Sequence, residues 1–256
     1  NGETNKTALR TGFVYGDLYL KHNTGAGHPE RPERLTAIVE RLKNKGLLSQ
    51  CLELPPAPAA LEWIHLVHTP AYVERVKQCC QTNRGFVDTP DAPASTHTYD
   101  AALHAVGGIL AAIDATMEGR IKNAFCAVRP PGHHALKERA MGFCFFNNVA
   151  IGARYAQTRG YGRIFIVDFD AHHGNGTQHI FEDDDTVFYF STHQHPYYPD
   201  TGKDMEQGTG KGRGFTYNVP IPAGSGNKDY LTVYQDILPG LIQRFGPDLV
   251  LVSAGY

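Results

Sequence analysis

Several things are scarce in this sequence, and each scarcity removes a class of function. Five cysteines in 256 residues are too few, and an odd number, for a disulfide framework. Cys126 and Cys144 lie in apolar runs and read as reduced core residues, while adjacent Cys79 and Cys80 at a helix end could bind metal but read first as a solvated or packed pair. A reducing compartment is the expectation, cytoplasm by default and nucleus if the protein is eukaryotic. An excess of charge is also lacking. A net charge of −2 and a pI near 6.7 leave no basic field to draw the chain to nucleic acid. No stretch reaches the ~18 consecutive apolar residues needed to span a bilayer, so no membrane contact is expected. Linkers, repeats and low-complexity tracts are missing too, and residues 1–256 read as a single domain. The sequence is silent on oligomeric state.

Histidine, by contrast, is plentiful at thirteen residues, and four of these form two adjacent pairs. Residues 164–176 start as an apolar run, Ile164 to Val167, and then deliver Asp168, Asp170, His172, His173, Gly174, Asn175 and Gly176. Strand side chains alternate with period two, so Asp168, Asp170 and His172 should leave the strand end on one side. Asp170 and His172 offer the oxygen and nitrogen ligands of a divalent metal such as zinc, with positions left open. A second apolar run, Ala124 to Val128, empties into Arg129-Pro-Pro-Gly-His133-His134. Imidazoles titrate near neutrality, so this pair suits proton transfer to and from water. Core packing gives no reason for two His-His pairs at two strand ends, whereas a shared pocket does.

The pattern between these segments is α/β. Strands are expected near Thr11 to Tyr15, Ala124 to Val128, Ile164 to Val167, Thr186 to Ser191 and Asp248 to Ser253. Helical spacing is carried by Leu35, Ile38, Val39 and Leu42 up to Gly46, by Val73, Val76 and Cys80 after Thr69-Pro70, and by Leu103 to Met117. Further helices are expected over 147–158, 177–182 and 227–245, the last kinked at Pro239. The strands lack period-two alternation, as strands covered on both faces should, which argues for a parallel sheet between helix layers. Residues 193–226 carry seven glycines after position 200 and read as one long active-site loop. The piece Gly208 to Gly214 lacks the GxxxxGK[ST] spacing of a phosphate loop.

Three blocks, Arg129-Pro-Pro-Gly-His-His-Ala135, Gly142-Phe-Cys-Phe-Phe-Asn-Asn148 and Asp168-Phe-Asp-Ala-His-His-Gly174, resemble the signature segments of the histone deacetylases. That zinc-dependent family includes class II-like and bacterial deacetylases and acetylpolyamine amidohydrolases. His28-Pro-Glu-Arg-Pro-Glu-Arg34 and Leu249-Val-Leu-Val-Ser-Ala-Gly255 fit the same pattern in the same order. The resemblance implies an arginase/deacetylase-type fold, a three-layer α/β/α sandwich around a mostly parallel sheet. It implies removal of acetyl or other acyl groups from lysine side chains, with Asp170 and His172 as zinc ligands. The family's third ligand, an Asp, and its oxyanion-binding Tyr or His would fall beyond Tyr256, so a longer polypeptide is expected. His133 and His134 become the proton-transfer pair, with His134 as general base and later acid. Asp168 would orient His133, and Asn175 would partner His134 where some branches use Asp. His173 would support the ligands from behind. Gly142, Phe143 and Tyr198 match the walls of a narrow substrate tunnel, and Asp91, with Asp88 as fallback, matches a rim residue that grips substrate backbone N–H groups. Asp168, Asp170, His172, Ser191 and Thr192 match a structural potassium site.

The implied partners are an acetylated lysine peptide or a small acyl-amine such as an acetylpolyamine. An arginase-like dimanganese enzyme would want Asp-x-His-x-Asp, whereas His173-Gly174 follows His172 here. A non-catalytic acyl-lysine reader is the rival outside the enzyme class, and zinc content together with hydrolysis of an acetyl-lysine amide separates the two.

Overall fold

Strands that are apolar on both faces need cover on both faces, and the computed structural model, which describes residues 10–255, shows where that cover comes from. In chain order the elements are β1 (Arg10–Val14), α1 (Glu33–Asn44), β2 (Leu52–Glu53), α2 (Leu61–Ile64), α3 (Pro70–Gln81) and α4 (Thr98–Met117). There follow β3 (Ile121–Cys126), α5 (Asn148–Thr158), β4 (Ile164–Asp168), α6 (Asn175–Phe181), β5 (Val187–Gln194) and β6 (Thr216–Ile221). The last are α7 (Asn227–Thr232), α8 (Leu238–Phe245) and β7 (Leu249–Ser253). All described strand pairings are parallel, in two groups ordered β2-β1-β3 and β6-β5-β4-β7.

Alternation along β4 shows why the sequence reads as continuously apolar. Ile164 and Ile166 enter one core with α3, α4 and α5, while Phe165 and Val167 enter another with α8. The first sheet repeats the arrangement on a smaller scale, with Phe13 packed toward Leu35 of α1 and Val14 toward Ala112 and Ala115 of α4. Side chains on one strand thus alternate between two dry interiors. Fully burying each Ile or Phe contributes roughly 1.5–3 kcal/mol before conformational entropy is counted. By length and composition α4 could cross a membrane, yet it packs on β3 and α5 as a core helix.

The expected helix signals act as anticipated. Thr69 accepts the Tyr72 N–H at the start of α3, and Pro70 occupies the first helical turn. Gly46 takes the left-handed conformation (φ 66°) just after α1. Pro239 breaks the last helix as expected: residues 233–237 form a π-type turn between α7 and α8.

Two local expectations need correction. β3 starts at Ile121 rather than Ala124 and stops at Cys126, because its partner β1 spans Arg10–Val14 and the ladder ends with it. The stretch over 193–226 is not one loop: β6 lies inside it, pairing with β5 from Thr216 opposite Tyr189 to Ile221 opposite Gln194. Its Pro220 hides the strand signal, yet an edge strand tolerates a missing N–H. The short elements β2 and α2 left no readable periodicity.

Candidate active site

The site forms where β3 and β4 end. β4 stops at Asp168, and the chain then turns through Asp170 and His172 before α6 begins at Asn175. Beyond β3 the chain reaches His133 and His134 through a turn pinned on several sides. Asn147 caps α5 through the Ala150 N–H (3.1 Å) and donates its side-chain amide to the Ala135 carbonyl (3.2 Å). The Thr177 N–H donates to the His133 carbonyl (3.1 Å), joining the same turn to α6. Behind it, Arg129 and Glu30 form a buried, doubly hydrogen-bonded ion pair, and Arg129 also donates to the carbonyls of Tyr19 and His22.

The two imidazoles of this turn lie with centroids 4.0 Å apart, tilted 44° to each other, but have different partners. His133 meets Asp168 (Nδ1 to Oδ2, 3.1 Å), a carboxylate with no exposed surface that also accepts the Tyr189 hydroxyl (3.2 Å). His134 meets the neutral amide oxygen of Asn175 (Nδ1 to Oδ1, 2.8 Å). Both rings are buried, and burial disfavours the charged form of each. For His133 the charge and hydrogen bond of Asp168 outweigh burial, and its pKa lies above the ordinary value. For His134 burial dominates, the neighbouring His133 adds to it, and the pKa falls well below the ordinary value. Adjacent histidines are therefore held toward opposite protonation states.

Asp170 and His172 face the pair. The His134 and His172 rings lie 6.0 Å apart, and the Asp170 Oδ1 stands 3.1 Å from His172 Nδ1. Burial alone would raise the Asp170 carboxyl, but hydrogen bonds from His172 and the charge of His133 outweigh it and hold the group far below the usual carboxylate range. The structure thus brings His133, His134, Asp168, Asp170, His172 and Asn175 to one place. Among the described residues no three His, Cys, Asp or Glu side chains are grouped so that they could hold a metal ion together, so Asp170 and His172 stand as a pair. They also leave the strand end differently than expected. Asp168 turns inward to His133, whereas Asp170 and His172 belong to the turn after the strand.

Phe143 and Tyr198 are both tied to Asp91. The Phe143 N–H donates to the Asp91 carbonyl (2.9 Å), and the Tyr198 hydroxyl donates to Asp91 Oδ2 (2.9 Å). Gly142 also donates its N–H to that oxygen (2.9 Å). Only glycine fits there: its φ is +55°, and a Cβ would stand 2.3 Å from the His134 ring. Asp88, the fallback rim residue, is instead engaged by Arg75 (2.9 Å) and by the Ala140 N–H. Ser191 and Thr192 are buried on β5, their hydroxyls turned to His193 Nδ1 and the Tyr234 hydroxyl. His173 is buried between Thr201 and Gln178, and burial pushes its pKa down to about 3.

Sequence reasoning missed three contributors. Tyr197 stacks on His172 (4.9 Å, 18°), His28 packs edge-on against Phe143 (4.6 Å), and Tyr189 donates to Asp168. His28 had a readable signal, since it opens a motif block, and Tyr197 adjoins a named residue. Tyr189 looked like any strand aromatic. A separate cavity of about 360 Å³ between β6 and α8, with Arg163, Phe188 and Arg244 in its lining, contains none of the site residues.

Comparison with known proteins gives matches over nearly the whole chain. Residues 28–256 match the family model described as histone deacetylase domain. A probable deacetylase of Archaeoglobus fulgidus is 41% identical over 247 residues, covering 96% of this chain and 68% of the relative. Histone deacetylase 14, chloroplastic, of Arabidopsis thaliana is 42% identical, covering 93% of this chain and 60% of the relative. The polyamine deacetylase HDAC10 of Homo sapiens is 43% identical, covering 89% and 36%. The crystal structure of the HDA15 HD domain superposes with a TM-score of 0.92 at 38% identity, covering 97% of this chain and 73% of that one.

Proposed function

Because the chain belongs to the histone deacetylase family, we propose that it is a zinc-dependent amide hydrolase that removes acetyl groups from lysine side chains. The observation that carries this reading is the meeting of the buried His134 with the Asp170–His172 pair at one strand edge. Asp170 and His172 would hold the ion. A carboxylate and an imidazole side by side are donors that zinc takes. Bound there, zinc supplies polarisation of the acyl carbonyl and acidification of water.

The rest is work for the chain's own side chains. His134 donates its Nδ1–H to Asn175 Oδ1, which leaves Nε2 unprotonated and able to accept a proton from water. The same nitrogen then returns that proton to the departing amine. His133, paired with Asp168, keeps a proton and places positive charge beside the reacting carbonyl. Phe143 and Tyr198 supply aromatic walls for the apolar stem of an acylated lysine, whose own charge acylation has removed. A structural potassium ion belongs to the same reading: Asp168 pairs in register with Ser191, and carboxylate and backbone oxygens are the hard donors such a cation takes.

Zinc content and acetate release from an acetyl-lysine amide test the proposal together. Bound zinc and acetate release abolished by chelation are expected, and acetate release by metal-free protein would overturn it. The match to a polyamine deacetylase supports a second substrate class, acetylated polyamines. The ratio of kcat/KM for N-acetylputrescine and an acetyl-lysine peptide decides between them.

A further inference from the structure

Tyr198 does something its place on a loop would not require. It is 36% exposed, yet its ring meets three chain segments at once. Its edge-on contacts reach His134 (centroids 5.2 Å, 85°) and His172 (5.9 Å, 80°), and its hydroxyl reaches Asp91 Oδ2 (2.9 Å). Asp91 is itself fixed. Thr89 donates to Oδ1, Gly142 donates to Oδ2, and the Asp91 carbonyl accepts the N–H of Phe143. One carboxylate therefore ties the Tyr198 ring to the Gly142–Phe143 turn. A ring held by edge contacts alone could swing toward solvent, whereas a phenol donating to a carboxylate is held by a strong, charge-assisted bond.

We infer that the Tyr198–Asp91 bond is a latch that fixes the width of the acyl pocket beside His134 and His172, making Tyr198 a specificity-determining residue for acyl size. The inference rests on the deacetylase reading above. Released from Asp91, the ring yields space beside His134 and His172, at the inner end of the stem wall where the acyl group begins. Longer acyl groups then gain relative to acetyl, on the scale that a methylene or two commands in a tight pocket.

The experiment compares kcat/KM for acetyl-lysine and butyryl-lysine amides in the zinc-loaded protein. Tyr198→Phe keeps the ring and removes only the hydroxyl, and the acetyl preference should fall about tenfold. Asp91→Asn retains an oxygen acceptor and should keep the preference whatever its turnover. Asp91→Ala should lose the preference, and adding Tyr198→Phe to Asp91→Ala should lose no more, since both act through one bond. An unchanged preference in Tyr198→Phe, or additive losses in the double variant, overturns the latch while leaving the hydrolase reading intact. Absence of turnover on both amides overturns the hydrolase reading and the acyl filter with it. The bond itself is read separately from ¹³C-labelled tyrosine: Asp91→Ala should shift the Tyr198 phenolic resonance, and no shift would show that no such bond exists.

Discussion

The chain spells His-His twice, at residues 133–134 and 172–173, and uses the two dipeptides differently. In the first pair both rings stay at the site, 4.0 Å apart, and differ in what they hold, a carboxylate for His133 and a neutral amide for His134. In the second pair the rings part. His172 lies against Tyr197 and beside Asp170, while His173 turns inward to Thr201, Gln178 and the ring of His193. His172 and His173 lie in the turn between β4 and α6, and their rings part because each finds its partners on a different side of it. The tight turn after Gly132, pinned by Asn147 and Thr177, instead keeps both rings together. An identical dipeptide thus yields two site residues in one place, and one site residue with one structural clamp in the other. The partner and the local backbone decide the role.

The sharpest way to break this comparison is to exchange the fates of His172 and His173. His172→Ala or Asp170→Ala should remove bound zinc and reduce acetate release by at least ~10³-fold, since ligation and the chemistry it supports go together. Zinc retained at the wild-type level in both variants would sink the ligand assignment. His134→Ala should keep its zinc and lose roughly 10²–10⁴ in kcat, the usual range for a positioned general base. Metal analysis alongside steady-state rates separates a ligand from a base. His173→Ala should behave as neither, keeping zinc and most of its turnover while losing about 1–3 kcal/mol of stability in urea unfolding, because Thr201 and Gln178 lose a buried partner. A His173 variant with full stability but no activity would reverse the reading of the second pair.

The sequence made the parts of the site near β4 legible because they are local. An apolar run followed by Asp168, Asp170, His172 and Asn175 states both a strand end and its cargo, and the structure brings these residues to the His133–His134 turn. The layered parallel architecture was legible for the same reason, since strands covered on both faces read as continuous apolar runs. What depends on distant segments was not. β6 carries Pro220 in a glycine-rich stretch, and only pairing with β5 makes it a strand. Asp91 and Asp88 lie in one turn and look alike in sequence, and what separates them is Arg75 on α3 and Tyr198 more than one hundred residues away. The direction in which His173 points was equally hidden, because it depends on Thr201 and Gln178.

The smallest effect extends the logic of His173 to a histidine behind the His133–His134 turn. His68 is buried, and its Nε2 accepts the N–H of Asn147 (2.9 Å), the residue that pins the His133–His134 turn. An accepting nitrogen must be unprotonated, and Nδ1 faces the Lys137 carbonyl, so the folded state requires the neutral ring. Burial outweighs the backbone hydrogen bonds and lowers the pKa to about 4 from an ordinary 6.5. The sign follows from linkage. Above pH 6.5 neither state binds the proton, whereas below it the unfolded chain binds one that the folded chain refuses until about pH 4. Stability is therefore lost as pH falls through that window, and His68 accounts for about 1 kcal/mol of the loss between roughly pH 7 and 5.5. His68→Gln keeps an oxygen to accept the Asn147 N–H but does not titrate. Urea midpoints measured across this range should fall less steeply for the variant than for the wild type. Parallel curves would mean that His68 takes up its proton in the folded state as readily as in water, and the buried acceptor role argued for it would be wrong.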